Sequence, residues 1–96
     1  MNVRPYEMLV LASAELEDPK EEIAKVEEVV RSLGGEVSKT DFWGKRRLAY
    51  PIQKKTEGFY AVCNFTLNPD QLLELNRVLG LRPNIYRQMT VRLDEK

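Results

Sequence analysis

The side chains best suited to act on a partner in this sequence are cations. Lys45, Arg46 and Arg47 stand together after Gly44 and run directly into an alternating Leu48, Tyr50, Ile52 row. Adjacent positive charges attract phosphate, and an alternating apolar row is the pattern of a half-buried strand, so a phosphate-seeking cluster is joined to a segment that a sheet would hold. Residue types alone leave open the plainer reading, that the three cations are a solvated loop. Pro51 has no N–H for a ladder and belongs on an edge strand, a strand start or a bulge, which puts the cluster at the border of the sheet.

Material for catalysis is scarce. The chain has no histidine, which removes the commonest general base and metal ligand. Its one cysteine, Cys63, excludes an intramolecular disulfide and any multi-cysteine metal site. No catalytic residue, metal or cofactor is expected, and the chain reads as a binding protein. The longest early apolar run, Met8 to Ala12, is too short for a signal-peptide core or a membrane span, so a soluble, intracellular protein is expected.

The formal net charge of zero argues at first against a nucleic-acid partner. The distribution argues for one: residues 1–41 carry five cations against ten acids, and residues 42–96 carry ten against five. Such a molecule is expected to be polarised, with its acidic side in water and its basic side toward something anionic.

Ninety-six residues suit a single domain, 1–96, with one core. Tyr6, Met8, Val10 and Ala12 alternate with Glu7, Leu9 and Leu11, as in a central strand covered on both faces. Asp18-Pro19-Lys20-Glu21 marks a helix start, Ile23, Val26, Val30 and Leu33 follow at helical spacing, and Gly34-Gly35 ends the helix. Glu21, Glu22, Glu27 and Glu28 are assigned to its wet side. A second strand runs from Val37 through Phe42-Trp43 and resumes after Gly44 to Ile52, with the glycine as a bulge or bend. A turn over Gln53 to Gly58 leads into a third strand, in which Phe59, Ala61, Cys63, Phe65 and Leu67 share a face. Cys63 is therefore read as a buried small hydrophobe. Asn68-Pro69-Asp70-Gln71 repeats the cap pattern, Leu72, Leu75 and Leu79 line a short helix up to Gly80, and Ile85 to Leu93 alternates as a fourth strand.

The order βαββαβ is that of the α+β ferredoxin-like sandwich: a four-stranded antiparallel sheet, order 4-1-3-2, with two helices on one face. By parity the other face carries Leu9, Leu11, Tyr60 and Val62, flanked by Arg47 and Arg92 on the edge strands. An apolar centre with a basic rim has the character of a recognition surface, against the plainer reading of ordinary exposed side chains. The same fold serves several functions. Metal chaperones need paired cysteines, and acylphosphatases need an anion-binding loop that is missing after the first strand. An RNA-recognition motif would place aromatics on the open face of strand three, and Glu57-Gly58-Phe59-Tyr60-Ala61-Val62-Cys63-Asn64 matches that pattern only at Gly58, Phe59 and Val62. A stand-alone single-stranded RNA module and a small-molecule regulatory domain remain as alternatives.

Arg4-Pro5-Tyr6-Glu7, Gly44-Lys45-Arg46-Arg47-Leu48-Ala49-Tyr50-Pro51-Ile52, Gly58-Phe59-Tyr60 and Ile85-Tyr86-Arg87-Gln88-Met89 together resemble bacterial ribosomal protein six of the small subunit, in order along essentially the whole chain. The resemblance implies a structural, non-enzymatic cytoplasmic protein. It would bind the central domain of small-subunit ribosomal RNA as a pair with ribosomal protein eighteen during assembly. It implies RNA contacts at Arg4, Lys45, Arg46, Arg47, Arg82, Arg87 and Arg92, and a partner surface on the open sheet face at Leu9, Leu11, Tyr60 and Val62. Relatives often continue into a longer C-terminal tail, whereas this sequence stops three residues after Leu93, which leaves any contact of such a tail open.

Overall fold

The computed structural model describes residues 2–52 and 55–94. The chain forms β1 (Arg4–Ser13), α1 (Pro19–Ser32), β2 (Glu36–Ile52), β3 (Lys55–Leu67), a 3-10 turn (Pro69–Gln71), α2 (Leu72–Gly80) and β4 (Ile85–Arg92). All pairings are antiparallel and the sheet order is β2-β3-β1-β4, the expected ferredoxin-like arrangement. Tyr6, Met8, Val10 and Ala12 of β1 and Ala61, Cys63, Phe65 and Leu67 of β3 meet Ile23, Val26 and Val30 of α1 and Leu75 and Leu79 of α2 in one core. Burial pushes the Cys63 thiol pKa up, against a smaller opposing effect of the Thr40 hydroxyl, as suits a packed rather than a reactive cysteine.

Local chemistry sets the helix limits. The Asp18 carboxylate accepts the Lys20 N–H at 3.2 Å, and Pro19 occupies the first turn, where its missing N–H costs nothing. At the other end Gly34 adopts φ +88°, so that its N–H reaches the Arg31 carbonyl and the Gly35 N–H reaches that of Val30, both at 3.0 Å. This closing motif satisfies two carbonyls that the helix leaves open. The Asn68 side chain caps the 3-10 turn by accepting the Asp70 N–H at 2.9 Å.

Three expectations change. The strand after the hairpin begins at Lys55 rather than Phe59, so Lys55 to Gly58, expected in the turn, are strand; Gln53 and Lys54 lie outside the described residues. Glu22 is not on the wet side of α1: it is 4% exposed and paired with Arg82 at 2.7 Å. Register irregularities also move several side chains to the opposite face. Cross-strand partners share a face of a sheet. Arg92 lies opposite Tyr6, and Arg47 lies opposite Glu57, two positions from inward-packed Phe59. Both therefore follow the helix-side parity rather than the open face. The shift between Leu11 and Ala12 puts Ile85 in the core while Arg87, Met89 and Val91 share the open face with Leu11, Leu9 and Glu7.

Candidate protein and nucleic-acid interface

The β2–β3 hairpin runs past the end of β1, whose last residue, Ser13, is opposite Gly58. Leu48 to Ile52 thus have no third strand beside them, which is where Pro51 can sit without breaking a ladder on both sides. This overhang curls across the open face: Leu48, Ala49, Tyr50 and Ile52 enclose a hollow of about 300 Å³ with Leu9, Leu11, Tyr60, Arg87 and Met89. Gly58 makes the closure possible, since a Cβ there would lie 2.2 Å from Leu11 Cδ1 and 3.4 Å from Leu48 Cδ2.

The open face is consequently part-covered by its own chain. Leu11 and Val62, expected as its uncovered apolar centre, are 4% and 8% exposed. Leu9 and Tyr60 are half-buried, while Trp43, Met89 and Val91 are open to a partner at 51%, 56% and 52%, and Tyr50 of the overhang at 81%. Trp43 follows helix-side Phe42 and so takes the open face, and Gly44, at φ +87° after a register shift, sits opposite Tyr60 on that same face; the Trp43 ring lies 6.5 Å from that of Tyr60. Alternation counted from Val37 would turn Trp43 inward; the register shift between Val37 and Lys39 reverses that face, and the pattern has no local signal for it.

The candidate cations fall into three groups. Lys45, Arg46 and Arg47 line the rim of edge strand β2 opposite Phe59, Gly58 and Glu57, and Arg87 sits opposite Leu11 near the same end of the sheet. All four are exposed, and among the described residues none lies within ion-pair distance of a carboxylate. Arg4 and Arg92 are at the other end, both against Asp94, at 3.8 Å and 2.5 Å, and the Arg92 guanidinium holds the Asp94 carboxyl below its usual range. Arg82 lies on the helix side in its pair with Glu22, whose carboxylate raises the guanidinium pKa. The structure therefore keeps Lys45, Arg46 and Arg47 together on edge strand β2, sets Arg87 toward the same end of the sheet on the opposite edge strand β4, and separates these four from Arg4, Arg92 and Arg82.

An apolar face with cations that have no ion pair among the described residues has the character of a binding surface, and the molecule is a small α+β ferredoxin-like sandwich, a fold that does not by itself fix a function. Residues 5–92 match the family model described as Ribosomal protein S6. The chain is 45% identical to the small ribosomal subunit protein bS6 of Arthrobacter sp. over 98% of its length and 95% of the relative's. It is 44% identical to bS6 of Dictyoglomus turgidum, over 98% and 99%. The crystal structure of 30S ribosomal protein S6 from Thermotoga maritima superposes with a TM-score of 0.86 at 27% identity, covering 96% of this chain and 89% of that one. The P2 domain of a chemotaxis kinase from the same organism, at 17% identity and a TM-score of 0.64, shares the fold alone. The chain belongs to the ribosomal protein S6 family: it is a structural, non-enzymatic component of the small ribosomal subunit and hence of the cytoplasm. No helix among the described residues is long and apolar enough to cross a membrane.

Proposed function

We propose that the chain binds the central domain of small-subunit ribosomal RNA jointly with ribosomal protein eighteen, as a heterodimer that forms during assembly. The open face takes the protein partner, and the rim of Lys45, Arg46, Arg47 and Arg87 takes RNA phosphate. The observation that carries this reading is the juxtaposition of half-exposed Trp43 and Met89 with four cations free of ion pairs among the described residues. Zero net charge limits the electrostatic term available to the chain alone and favours joint binding with a basic partner.

Met89→Asp tests the protein side. Met89 is exposed on edge strand β4, so a carboxylate there stays hydrated in the free protein and its melting temperature changes little. Under ribosomal protein eighteen the same carboxylate is buried without a partner, and affinity falls roughly a hundredfold. Retention of wild-type affinity, or full RNA affinity without the second protein, counts against the proposal. Unaided binding of short RNA would instead indicate an autonomous RNA module, and stabilisation by metabolites a regulatory domain.

A further inference from the structure

Glu7 occupies the middle of the open face, on inner strand β1, between Asn64 of β3 and Val91 of β4. Its side chain lines a hollow of about 310 Å³ that is otherwise built mainly from Leu9, Trp43, Met89 and Val91, with Asp41 at the edge. Asp41 has a cation already, Lys39 at 3.6 Å. Glu7 has none among the described residues. In the free protein this costs nothing, because the carboxylate is exposed to water. A partner that covers Met89 and Trp43 removes that water, and an ionised carboxylate buried without a counter-charge is among the most costly groups an interface can hold.

We infer that the protein covering this face seats a lysine or arginine side chain against the Glu7 carboxylate, beside the Trp43 ring. The inference rests on the reading that the open face takes a protein partner. The charge pattern itself favours a basic protein over nucleic acid here: phosphate laid in this hollow would meet the carboxylates of Glu7 and Asp41, whereas an ammonium or guanidinium would meet both together with an aromatic face that attracts cations. The two ends of the face thus have different roles, with Arg87 and the β2 rim for anions and the Glu7 hollow for a cation.

Titration calorimetry of wild type, Glu7→Gln, Glu7→Lys and Met89→Asp with ribosomal protein eighteen, alongside the melting temperature of each free protein, tests this. Glu7→Gln keeps the shape of the side chain and removes its charge. It is expected to weaken binding by at least about tenfold and to flatten the dependence of affinity on salt; Glu7→Lys is expected to weaken it further, through repulsion. The free variants should melt near wild type. If Met89→Asp abolishes binding while Glu7→Gln binds as tightly as wild type or tighter, the face is right and the ion pair is wrong. If wild type does not bind, or if Met89→Asp and Glu7→Gln both bind as wild type, the partner reading fails and the cation site with it.

Discussion

Glu22 and Arg82 are 60 positions apart in the sequence and 2.7 Å apart in the fold. Their pairing ties the first turns of α1 to the connection between α2 and β4. Glu22 is 4% exposed and has Arg82 as its partner, which donates to it from Nε at 2.7 Å and from an outer nitrogen at 3.2 Å. Arg82→Ala leaves a buried carboxylate without a counter-charge and is expected to destabilise the protein by about 2–4 kcal/mol, a little under the usual cost of breaking a buried pair because water reaches this one. Glu22→Gln should cost less, since the Arg82 side chain is 29% exposed and can turn its head to solvent. Urea denaturation of both variants checks the ordering. If Arg82 served RNA alone, its removal would leave the urea midpoint unchanged. The sequence shows a glutamate on a helix and an arginine in a loop; nothing local to either reveals the pairing, because it is made by the folded topology.

Where a signal is local, the sequence is readable. Asp18-Pro19 and Asn68-Pro69 cap as their residue types require, Gly34 closes α1, and the period-two rows of β1 and β3 place their core faces correctly. Period two fails after a bulge, since one extra residue exchanges the two faces for everything beyond it. That is why Arg47 and Arg92 follow the helix-side parity, why alternation from Ile85 does not identify Met89 and Val91 as exposed members of the open face, and why alternation from Val37 does not place Trp43 there. The curl of the hairpin, which buries Leu11 under Leu48, depends on the two strands outrunning their neighbour and has no local signature. Gly44→Ala probes this control of face directly. A Cβ at Gly44 would meet nothing within 4 Å, so any loss comes from holding φ +87° and not from a clash. A loss of about 1–2 kcal/mol is expected, the usual cost of a left-handed backbone for a residue with a side chain. Trp43 fluorescence should change with it, because relaxing the bulge withdraws the indole from Tyr60. Unchanged stability and emission would show that the bulge is set elsewhere.

The molecule as a whole separates its charges, but not simply by chain half. Acids of the first half lie on α1 and the segment before it, and also at Glu7, Glu36 and Asp41 on the sheet, while Lys45, Arg46, Arg47 and Arg87, without ion pairs among the described residues, lie toward the end where the hairpin overhangs. Arg46 and Arg47 stand on opposite faces of β2, opposite Gly58 and Glu57. This still suits a single anionic backbone, because β2 is the outermost strand and a phosphate chain following its rim is accessible to side chains from either face. Each phosphate that is no longer neutralised should flatten the slope of log affinity against log salt by about 0.7–0.9, the lower figure for single-stranded RNA. Replacing both arginines with alanine should therefore flatten the slope by about one and a half to two units, measured on RNA for the heterodimer proposed above. Both side chains are exposed, so the melting temperature of the free protein should stay within about a degree or two of wild type. The single variants need not be equal in effect: Glu57 lies opposite Arg47 and already offsets part of its field, so Arg46→Ala should have the larger effect. An unchanged slope in the double variant would remove the β2 rim from the RNA surface and leave Arg87 as the nearest cation to test.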